Sequence, residues 1–485
     1  MKQLTFKEIE TIPAPPGDTL YYDDLAEKFS RHVHDRVNRI SHEDDAGNTY
    51  FAAYSEGQGN EMVTWGPIAV GEKFRLSEHW RENANALEKF FHPGAKVYTN
   101  THGQTKTEYW YLLYVHTLAG TVYRSYFEKD ARYLNHMLTA AYSLRTMAQG
   151  IKYDFNDQGY DFNIAKPWTN KDVFRQPDSI GGYAYNMLFA GIHGGDDSLI
   201  AEAVKAIKLY ENFEKNPWYE IPNGSTAFYA AAWLKAKGYK LSIEKILGFV
   251  LDPKEGPLHT GKWNGEPVDG LMMGWRGDDR ESAMSSAYSM ETLMPLPFVI
   301  PAVKYAPETA KSVAWYALNA VMNFKLFFAE GLNGKIHETR ADLSNAVPYE
   351  RLEIKRDGHS PVACGDFMGH RSVYGGAYMA WIAAIMRRTG VKNMPAWDIS
   401  ITDWLDKSKA PEPMFMLYNE TGEEAEASFA PCNLWKEKRP DLYQSDVLTG
   451  NILNHITNEQ INEIRDGKVR IKVPPRSVLI VKLTP

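Results

Sequence analysis

The chain has 485 residues, a formal net charge of −7 and 44% hydrophobic residues. This length allows one large domain and a smaller one, and the mild charge without any basic run argues against a nucleic-acid partner. No apolar run approaches the roughly 20 residues of a membrane helix. The N-terminal residues also lack the pattern of a signal peptide, so we expect a cytoplasmic protein that does not enter a membrane.

The first hundred residues show one helical pattern, at 22–38, followed by irregular sequence. We expect this segment, 1–100, to pack on the domain that follows. From residue 107 onward, apolar residues recur at helical spacing, as in "DSLIAEAVKAIKLYENF". The pattern predicts helix pairs at 107–127 and 130–149, 180–192 and 198–213, 225–237 and 242–251, 281–305 and 307–328, and a last helix at 375–388.

The connections between these helices alternate in length. Within a pair they are short: "HGGDDS" offers glycines to end one helix and Asp197 or Ser198 to cap the next. Between pairs they are long, polar and aromatic, as in "NPWYEIPNGST". Short connections make consecutive helices antiparallel, so all the long loops should fall at one end of the helical domain. We therefore expect the functional side chains on this one rim.

After residue 404 the pattern changes to short β-type runs, among them "MFMLYN", "KVRIKV" and "SVLIVKLTP". They predict a small, sandwich-like antiparallel β domain at 411–485, after a helical domain at 101–410. Paired helices followed by such a domain resemble the (α/α)-toroid carbohydrate-active enzymes, both glycoside hydrolases and polysaccharide lyases. The predicted fold is therefore mainly α, an (α/α)6-type toroid with a C-terminal β domain, and the resemblance implies an oligosaccharide substrate.

One short motif within a long loop has a counterpart in a known family. The segment "PVDGLMMG" resembles the Asp-Gly-Leu/Phe-Met stretch of bacterial unsaturated-uronyl hydrolases, toroid enzymes in which this Asp is the catalytic acid. The resemblance implies that role for Asp269. The alternative is an Asp-Gly pair that only forms a turn.

A dense cluster of charges follows in "GWRGDDRES". Glycoside hydrolysis needs a proton donor with a raised pKa and a second carboxylate. Asp278, Asp279 and Glu281 can supply both, because adjacent acids repel each other while an arginine such as Arg276 keeps one of them ionised. The alternative is an ion-paired helix start, capped by Asp279. Trp275, beside these acids, is predicted to stack on a sugar ring.

Two further loops place polar residues directly before a helix. In "RQPDSIGGYAYNM", Asp178 is either an N-cap or a catalytic acid. "CGDFMGHRSVYGG" has a similar composition and supplies four candidates for substrate binding, Asp366, His370, Arg371 and Tyr374. We expect both loops to face the acids of "GWRGDDRES" across the rim.

A lyase would need other groups, one to neutralise a uronate carboxylate and a base to take the C5 proton. "NPWYEIPNGS" resembles the Asn-Trp-Trp and Glu-Ile-Gly stretches of toroid lyases, with Asn216 or Asn223 as the matching asparagine. His259 and Arg276 follow in an order compatible with those lyases. Elimination therefore stays open beside hydrolysis.

No metal or other cofactor is predicted. Cys364 and Cys432 lack metal-ligand spacing, and the calcium-loop-like start "DFNDQG" is followed by Ala165 where a bidentate Glu would be required. Aromatic residues in the loops are instead predicted to stack on sugar rings. Besides Trp275, these are Trp110, Tyr109 and Trp218.

The sequence thus predicts a glycoside hydrolase that cleaves an oligosaccharide, including one with uronic acid, by carboxylate acid/base catalysis. Three alternatives remain: a lyase acting by β-elimination on a uronate, a sugar epimerase that relies on histidines, and a non-catalytic glycan-binding protein.

Overall fold

The computed structural model of the chain describes residues 6–13, 17–34, 41–43, 49–51, 61–75, 84–170, 175–263, 266–274, 286–328, 348, 351–353, 362–364 and 373–485. Its α-helices are α1 (Asp23–His34), α2 (Met62–Phe74), α3 (Tyr109–Val122), α4 (Ala131–Gly150), α5 (Ser179–Gly194), α6 (Asp197–Glu211), α7 (Ile221–Ala236), α8 (Ile243–Val250), α9 (Ser289–Leu293), α10 (Leu296–Ala302), α11 (Ala310–Asn323), α12 (Val373–Gly376), α13 (Met379–Ile385) and α14 (Leu434–Lys438). None of these described helices is long and apolar enough to cross a membrane.

Within the described residues, the inner helices close into a ring. Helix α2 packs on α3, α3 on α5, α5 on α7, α7 on α10, α10 on α13, and α13 on α2 again. The inner helices are buried on nearly every face, which is why their sequences are apolar all round, as in "YWYLLYVHTLAGTV" of α3. Helices α4, α6, α8 and α11 each follow an inner helix and pack outside the ring, and α1 packs on α13. The predicted (α/α) toroid is confirmed.

The short connections reverse the chain direction as expected. Between α5 and α6, Gly195 adopts a left-handed conformation with φ of +69° and ends the first helix. The cap of the next helix is Asp196, whose Oδ1 accepts a hydrogen bond of 2.8 Å from the Ser198 N–H. The cap predicted at Asp197 or Ser198 is therefore one or two residues too late.

Helix α2 completes the ring, although it lies in the N-terminal segment where the sequence indicated irregular structure. Its sequence, "MVTWGPIAVGEKF", contains two glycines and a proline, which disfavour a helix. Gly71 has a packing role: a Cβ there would lie 2.6 Å from the Ala380 Cβ and 2.9 Å from the Trp381 backbone N. The glycine therefore allows α2 and α13 to approach closely enough to close the ring.

Three predicted helices differ from the structure. Helix α7 begins at Ile221, inside the predicted loop, because Pro222 fits the first turn of a helix, where no N–H is needed. Of the predicted helix 281–305, the described residues begin at 286 and form strand β12 (Ser286–Tyr288), α9 and α10, with Pro295 between the two helices. The predicted helix 375–388 is divided into α12 and α13 and ends in strand β15 (Met386–Arg387).

The remaining strands are short and pair antiparallel. They are β1 (Ser41–Glu43), β2 (Thr49–Phe51), β3 (Phe91–His92), β4 (Val97–Tyr98), β5 (Lys106–Glu108), β6 (Gly159–Asp161), β7 (Lys166–Trp168), β8 (Leu258–His259), β9 (Lys262–Trp263), β10 (Glu266–Pro267), β11 (Leu271–Met272), β13 (Arg351–Glu353), β14 (Val362–Cys364), β16 (Ala396–Asp398), β17 (Met414–Asn419), β18 (Ala425–Phe429), β19 (Tyr443–Gln444), β20 (Val447–Leu448), β21 (Asn451–Asn454), β22 (Gln460–Glu463), β23 (Val469–Val473) and β24 (Ser477–Thr484).

The C-terminal strands form the expected antiparallel β domain. One sheet has the strand order β15-β16-β17-β24-β21-β22, and β18 pairs with β23 in a second sheet. A separate apolar core, which includes Phe415, Phe429 and Val481, fills the space within this domain. Because β15 and β16 belong to its main sheet, strands from before residue 411 take part in the domain.

We expect Gly71→Ala to destabilise the protein by about 1–3 kcal/mol, because the new methyl group would collide with α13 and overpacking has costs of this size. Gly150→Ala is the matched control, since a Cβ at this last residue of α4 meets nothing within 4 Å. The control should be neutral or stabilise by up to about 1 kcal/mol. Urea-induced unfolding of both variants measures the difference, and equal stability would contradict the close packing of α2 on α13.

Candidate active site

Side chains before and within the inner helices tie the starts of these helices together. Gln176 Oε1 accepts a hydrogen bond of 2.8 Å from the Trp110 N–H, which joins the loop before α5 to the start of α3. Glu291 Oε2, in α9, accepts one of 3.1 Å from the Ile221 N–H at the start of α7. These bonds use backbone N–H groups that a helix start leaves without partners. The inner helices therefore point the same way, and their N-termini form one rim.

Three successive inner helices, and the short helix α9 that precedes α10, bring a carboxyl group to this rim. Glu108, Asp178 and Glu220 each stand immediately before a helix, at the starts of α3, α5 and α7, and Glu291 lies in α9. We call these four residues the acid cluster. Negative charge is favourable at a helix N-terminus, which helps the fold to tolerate acids in a buried place.

Glu220 and Glu291 form a buried carboxyl pair and share a hydrogen bond. Burial raises the pKa of Glu220 well above its usual range, and the neighbouring charge of Glu291 raises it further. Burial also raises the pKa of Glu291, although the hydrogen bonds from Glu220 and the Ile221 N–H oppose this. Two adjacent buried carboxyls cannot both ionise readily, so the pair favours a state in which the two groups share one proton.

Asp178 is fully buried, and burial raises its pKa to about 7. Its Oδ2 accepts hydrogen bonds from the backbone N–H groups of Tyr219, at 3.0 Å, and Glu220, at 3.4 Å, which oppose this rise. Its Oδ1 has no hydrogen-bond partner among the described residues. One oxygen of Asp178 thus holds the start of α7, and the Asn223 side chain also lowers the pKa of this buried carboxyl.

Glu108 is the least buried member of the acid cluster. Its Oε1 accepts a hydrogen bond from Gln158 Nε2 and its Oε2 accepts one from Gln176 Nε2, both at 2.9 Å. The charge of Glu108 is also among those that raise the pKa of Glu220. The two amides fix the orientation of the Glu108 side chain, close enough to the Glu220–Glu291 pair for its charge to affect the pKa of Glu220.

Asp269 lies on the same rim and is buried. Its Oδ1 accepts a hydrogen bond of 2.9 Å from the Gly261 N–H, and its backbone oxygen accepts one of 2.7 Å from Asn323 Nδ2, at the end of α11. Gly270 has a φ of +84°, so the Asp-Gly pair does form a turn. Burial raises the pKa of Asp269, and the Gly261 N–H opposes the rise. The turn is structural, and the predicted catalytic role of Asp269 remains a prediction.

Of the residues considered for elimination, Asn216 precedes α7 and Asn223 lies in its first turn. Asn223 Nδ2 donates to Ser179 Oγ at 3.2 Å and so links α7 to α5. Asn216 Nδ2 donates to the Phe249 backbone oxygen at 3.1 Å, and its Oδ1 accepts from the Trp218 N–H at 3.1 Å. Burial lowers the pKa of His259 to about 4, which keeps this imidazole neutral.

The three predicted stacking residues that the structure describes are all buried. The Tyr109 ring packs edge-on against Phe155, and Trp218 Nε1 donates a hydrogen bond of 2.8 Å to the Glu255 backbone oxygen. Trp110 begins α3 directly after Glu108. Each therefore packs within the protein, and contact with a sugar remains a prediction for them.

Eight predicted site residues lie outside the described residues, and Tyr374 lies in α12. The eight are Trp275, Arg276, Asp278, Asp279, Glu281, Asp366, His370 and Arg371. The structure does describe both ends of the segment that contains the first five: Met273 pairs with Ala287, immediately before α9. The described residues on both sides of this segment therefore lie next to the start of α9, the helix that contains Glu291.

Sequence reasoning missed Glu108, Glu220 and Glu291. A signal was present for Glu108 and Glu220, because each of the three long polar loops before α3, α5 and α7 ends in an acid directly before a strongly apolar helix, but Glu291 lies within α9 and has no such signal. That position also suits an ordinary N-cap, and only the closed ring shows that these helix starts meet.

No protein-family model matches this chain, and no curated protein matches its sequence. Several solved structures resemble it, all described as sugar-processing enzymes. A cellobiose 2-epimerase from Bacillus thermoamylovorans has a TM-score of 0.46 and 10% identity over 74% of this chain and 97% of its own. A family 76 glycoside hydrolase (mannosidase) from Bacteroides thetaiotaomicron has 0.43 and 10%, over 74% and 98%. A sugar epimerase from a ruminal bacterium has 0.42 and 10%, over 73% and 97%.

The raised pKa of Asp178 predicts a specific pH dependence of stability. Between about pH 4 and pH 7 the folded protein keeps a proton on Asp178 that the unfolded chain has lost, so this group's contribution to stability is full below pH 4 and is lost as the pH rises through 7. Because Asn does not titrate, Asp178→Asn does not show this loss of stability with rising pH. We expect its free energy of unfolding, relative to the wild type, to increase by on the order of 3–4 kcal/mol from pH 4 to pH 8.

Urea-induced unfolding of both proteins at the two pH values tests this. A difference that stays constant across the range would mean that Asp178 titrates as an ordinary carboxyl in the folded protein.

Proposed function

We propose that this protein is a glycoside hydrolase that cleaves an oligosaccharide by carboxyl acid/base catalysis. The observation that carries the proposal is the acid cluster, in which burial raises the pKa of Asp178, Glu220 and Glu291. Hydrolysis of a glycosidic bond needs one carboxyl that is protonated at neutral pH, so that it can protonate the leaving oxygen, and a second that is ionised. The cluster supplies the first requirement on a rigid scaffold.

The Glu220–Glu291 pair is the proposed source of the proton. When one of its carboxyls gives the shared proton to the leaving oxygen, the negative charge that results is stabilised by the Ile221 N–H, which already donates to Glu291. The start of α7 adds its favourable dipole. Asp178, with a pKa of about 7 and an oxygen without a partner, lies next to the Glu220 N–H and is the alternative donor.

The ionised carboxylate has two proposed sources. Glu108 is oriented by two amide donors and is less buried than the other acids. Asp278, Asp279 and Glu281 belong to the segment whose ends are held beside α9. Either source would provide the carboxylate that attacks the anomeric carbon or activates a water. Arg276, which is close in sequence to Asp278, is proposed to bind a sugar hydroxyl or a uronate carboxylate.

We expect Glu220→Gln and Glu291→Gln each to reduce the turnover of a cleaved oligosaccharide by on the order of 10²- to 10⁴-fold, the usual contribution of a general acid. The assay measures reducing ends released from neutral and uronate-containing oligosaccharides of two to six sugars. Asp398→Asn is the matched control, because Asp398 is also buried with a pKa raised by burial, to about 6, but lies in the β domain. Its activity should stay within twofold of the wild type.

Full activity of Glu220→Gln and Glu291→Gln would contradict the assignment of the pair. The same panel, followed by ultraviolet absorbance, separates hydrolysis from elimination, since a lyase creates an unsaturated uronate that absorbs and a hydrolase does not. Parallel assays of Asp278→Asn, Asp279→Asn, Glu281→Gln and Glu108→Gln identify the second carboxylate.

A further inference from the structure

A groove of about 440 Å³ lies outside the ring, between α4 and the hairpin formed by β6 and β7. Its size is within the range of pockets that bind small molecules. One wall is a row of residues spaced three and four apart, which therefore lie on one face of α4. This row consists of Thr139, Tyr142, Ser143 and Thr146, and the hairpin wall contains Tyr160 and Phe162.

Aromatic side chains line this groove, and Tyr142 and the neighbouring Ile164 are exposed. Tyr142 is 39% exposed, and the Arg145 guanidinium lies 5.0 Å from the centre of its ring. Ile164, in the turn of the hairpin, is 62% exposed. The rings of Tyr160 and Phe162 meet edge-to-face with their centres 5.0 Å apart. The groove thus combines the exposed ring of Tyr142 with the buried Tyr160 and the half-buried Phe162, and exposed apolar groups are common at binding surfaces.

Polar groups lie between the aromatic rings. The hydroxyls of Ser143 and Thr146 donate to backbone oxygens of Ala95 and Tyr142, both at 2.9 Å, so their own oxygens remain able to accept hydrogen bonds. Lys96, also in the lining, brings an ammonium donor. Aromatic faces beside hydroxyl acceptors and a cationic donor match a sugar ring, which has an apolar face and a hydroxyl-bearing edge.

A second cavity, of about 300 Å³, lies near the C-terminal ends of α5 and α7 and differs in character. Its Lys304 ammonium is held by Asp406 at 2.7 Å, and its Lys407 ammonium donates to the Ile192 backbone oxygen at 2.8 Å. The charged groups there stabilise the fold. The groove beside α4 is therefore the better candidate for a ligand.

We propose that this groove is a second oligosaccharide-binding site, distinct from the acid cluster. The proposal rests on the proposed function for the class of ligand. The hairpin that forms one wall begins directly after Gln158, whose side chain holds the Glu108 carboxylate. A sugar chain bound in the groove is thus anchored on an element that also supports the catalytic rim, which favours retention of a longer substrate at the enzyme.

The test uses Glu220→Gln, which binds oligosaccharides without rapid cleavage, and follows hydrogen–deuterium exchange of residues 139–147 and 159–165. We expect a hexasaccharide from the same panel to protect both segments. In the Glu220→Gln background, Tyr142→Ala should weaken this binding about tenfold, because it removes the stacking face. Tyr142→Phe is the matched control: both changes remove the hydrogen bond from the tyrosine hydroxyl to Asp196, but Phe keeps the ring.

Equal affinities of the Ala and Phe variants, or no protection of the two segments by any oligosaccharide of the panel, would overturn the groove assignment. Tyr142→Ala alone, without the Glu220 change, should cleave the shortest substrate at the wild-type rate, because the groove takes no part in the chemistry. If the protein cleaves oligosaccharides but none of them protects the groove from exchange, only this inference is refuted. If an oligosaccharide protects the groove but the protein cleaves none of the panel, only the proposed function is refuted.

Discussion

The inner ring depends on side chains that accept hydrogen bonds from the helix starts. The first N–H groups of an α-helix have no partner within the helix, and a buried helix start cannot satisfy them with water. In this protein Asp178 and Glu291 accept from the start of α7, and Gln176 accepts from the start of α3. Because acceptors are needed where the helices converge, acids are gathered there. The same side chains thus hold the ring together and form the acid cluster, so the cluster is as rigid as the scaffold.

Buried acids have different partners at the two ends of the ring. At the C-terminal end, Asp403 and Asp406 both accept from the Lys304 ammonium at 2.7 Å, and Tyr305 donates to Asp403. Lys304 lowers the pKa of Asp406 to about 2, against the opposing effect of burial. At the N-terminal end, the neighbouring charges that act on Glu220 are those of other acids, Glu291 foremost. A pair of this kind costs stability, and such costs are typically retained where function requires them.

The sequence predicted most of the helical pairs and the β domain, because apolar residues recur along the chain at the spacing of the faces that are buried. It did not predict α2, since Gly71 disfavours a helix locally but is required by contact with a helix more than 300 residues away in the chain. It also predicted the rim and, at that rim, Asp178. The pairing of Glu220 with Glu291 could not be predicted, because it depends on which helix starts become neighbours when the ring closes. The acids of "GWRGDDRES" lie outside the described residues, so their role remains a prediction.

Buried carboxyls in this protein differ in the hydrogen bonds that they accept, as Asp178 and Asp398 show. Both are buried, and burial raises the pKa of each. Every oxygen of Asp398 is engaged: Oδ1 accepts from the Ser400 and Ile401 N–H groups, and Oδ2 accepts from Trp435 Nε1. In Asp178, Oδ2 accepts from the Tyr219 N–H and the Asn223 side chain also lowers the pKa of the carboxyl, whereas Oδ1 accepts no well-formed hydrogen bond from the described residues. An unsatisfied buried oxygen costs free energy that the fold does not recover, whereas a substrate hydroxyl or glycosidic oxygen could recover it on binding. Asp178 thus differs from Asp398 in its hydrogen bonds and in its place among the other acids of the rim, which is why the proposed function assigns proton donation to the acids of the rim and not to Asp398.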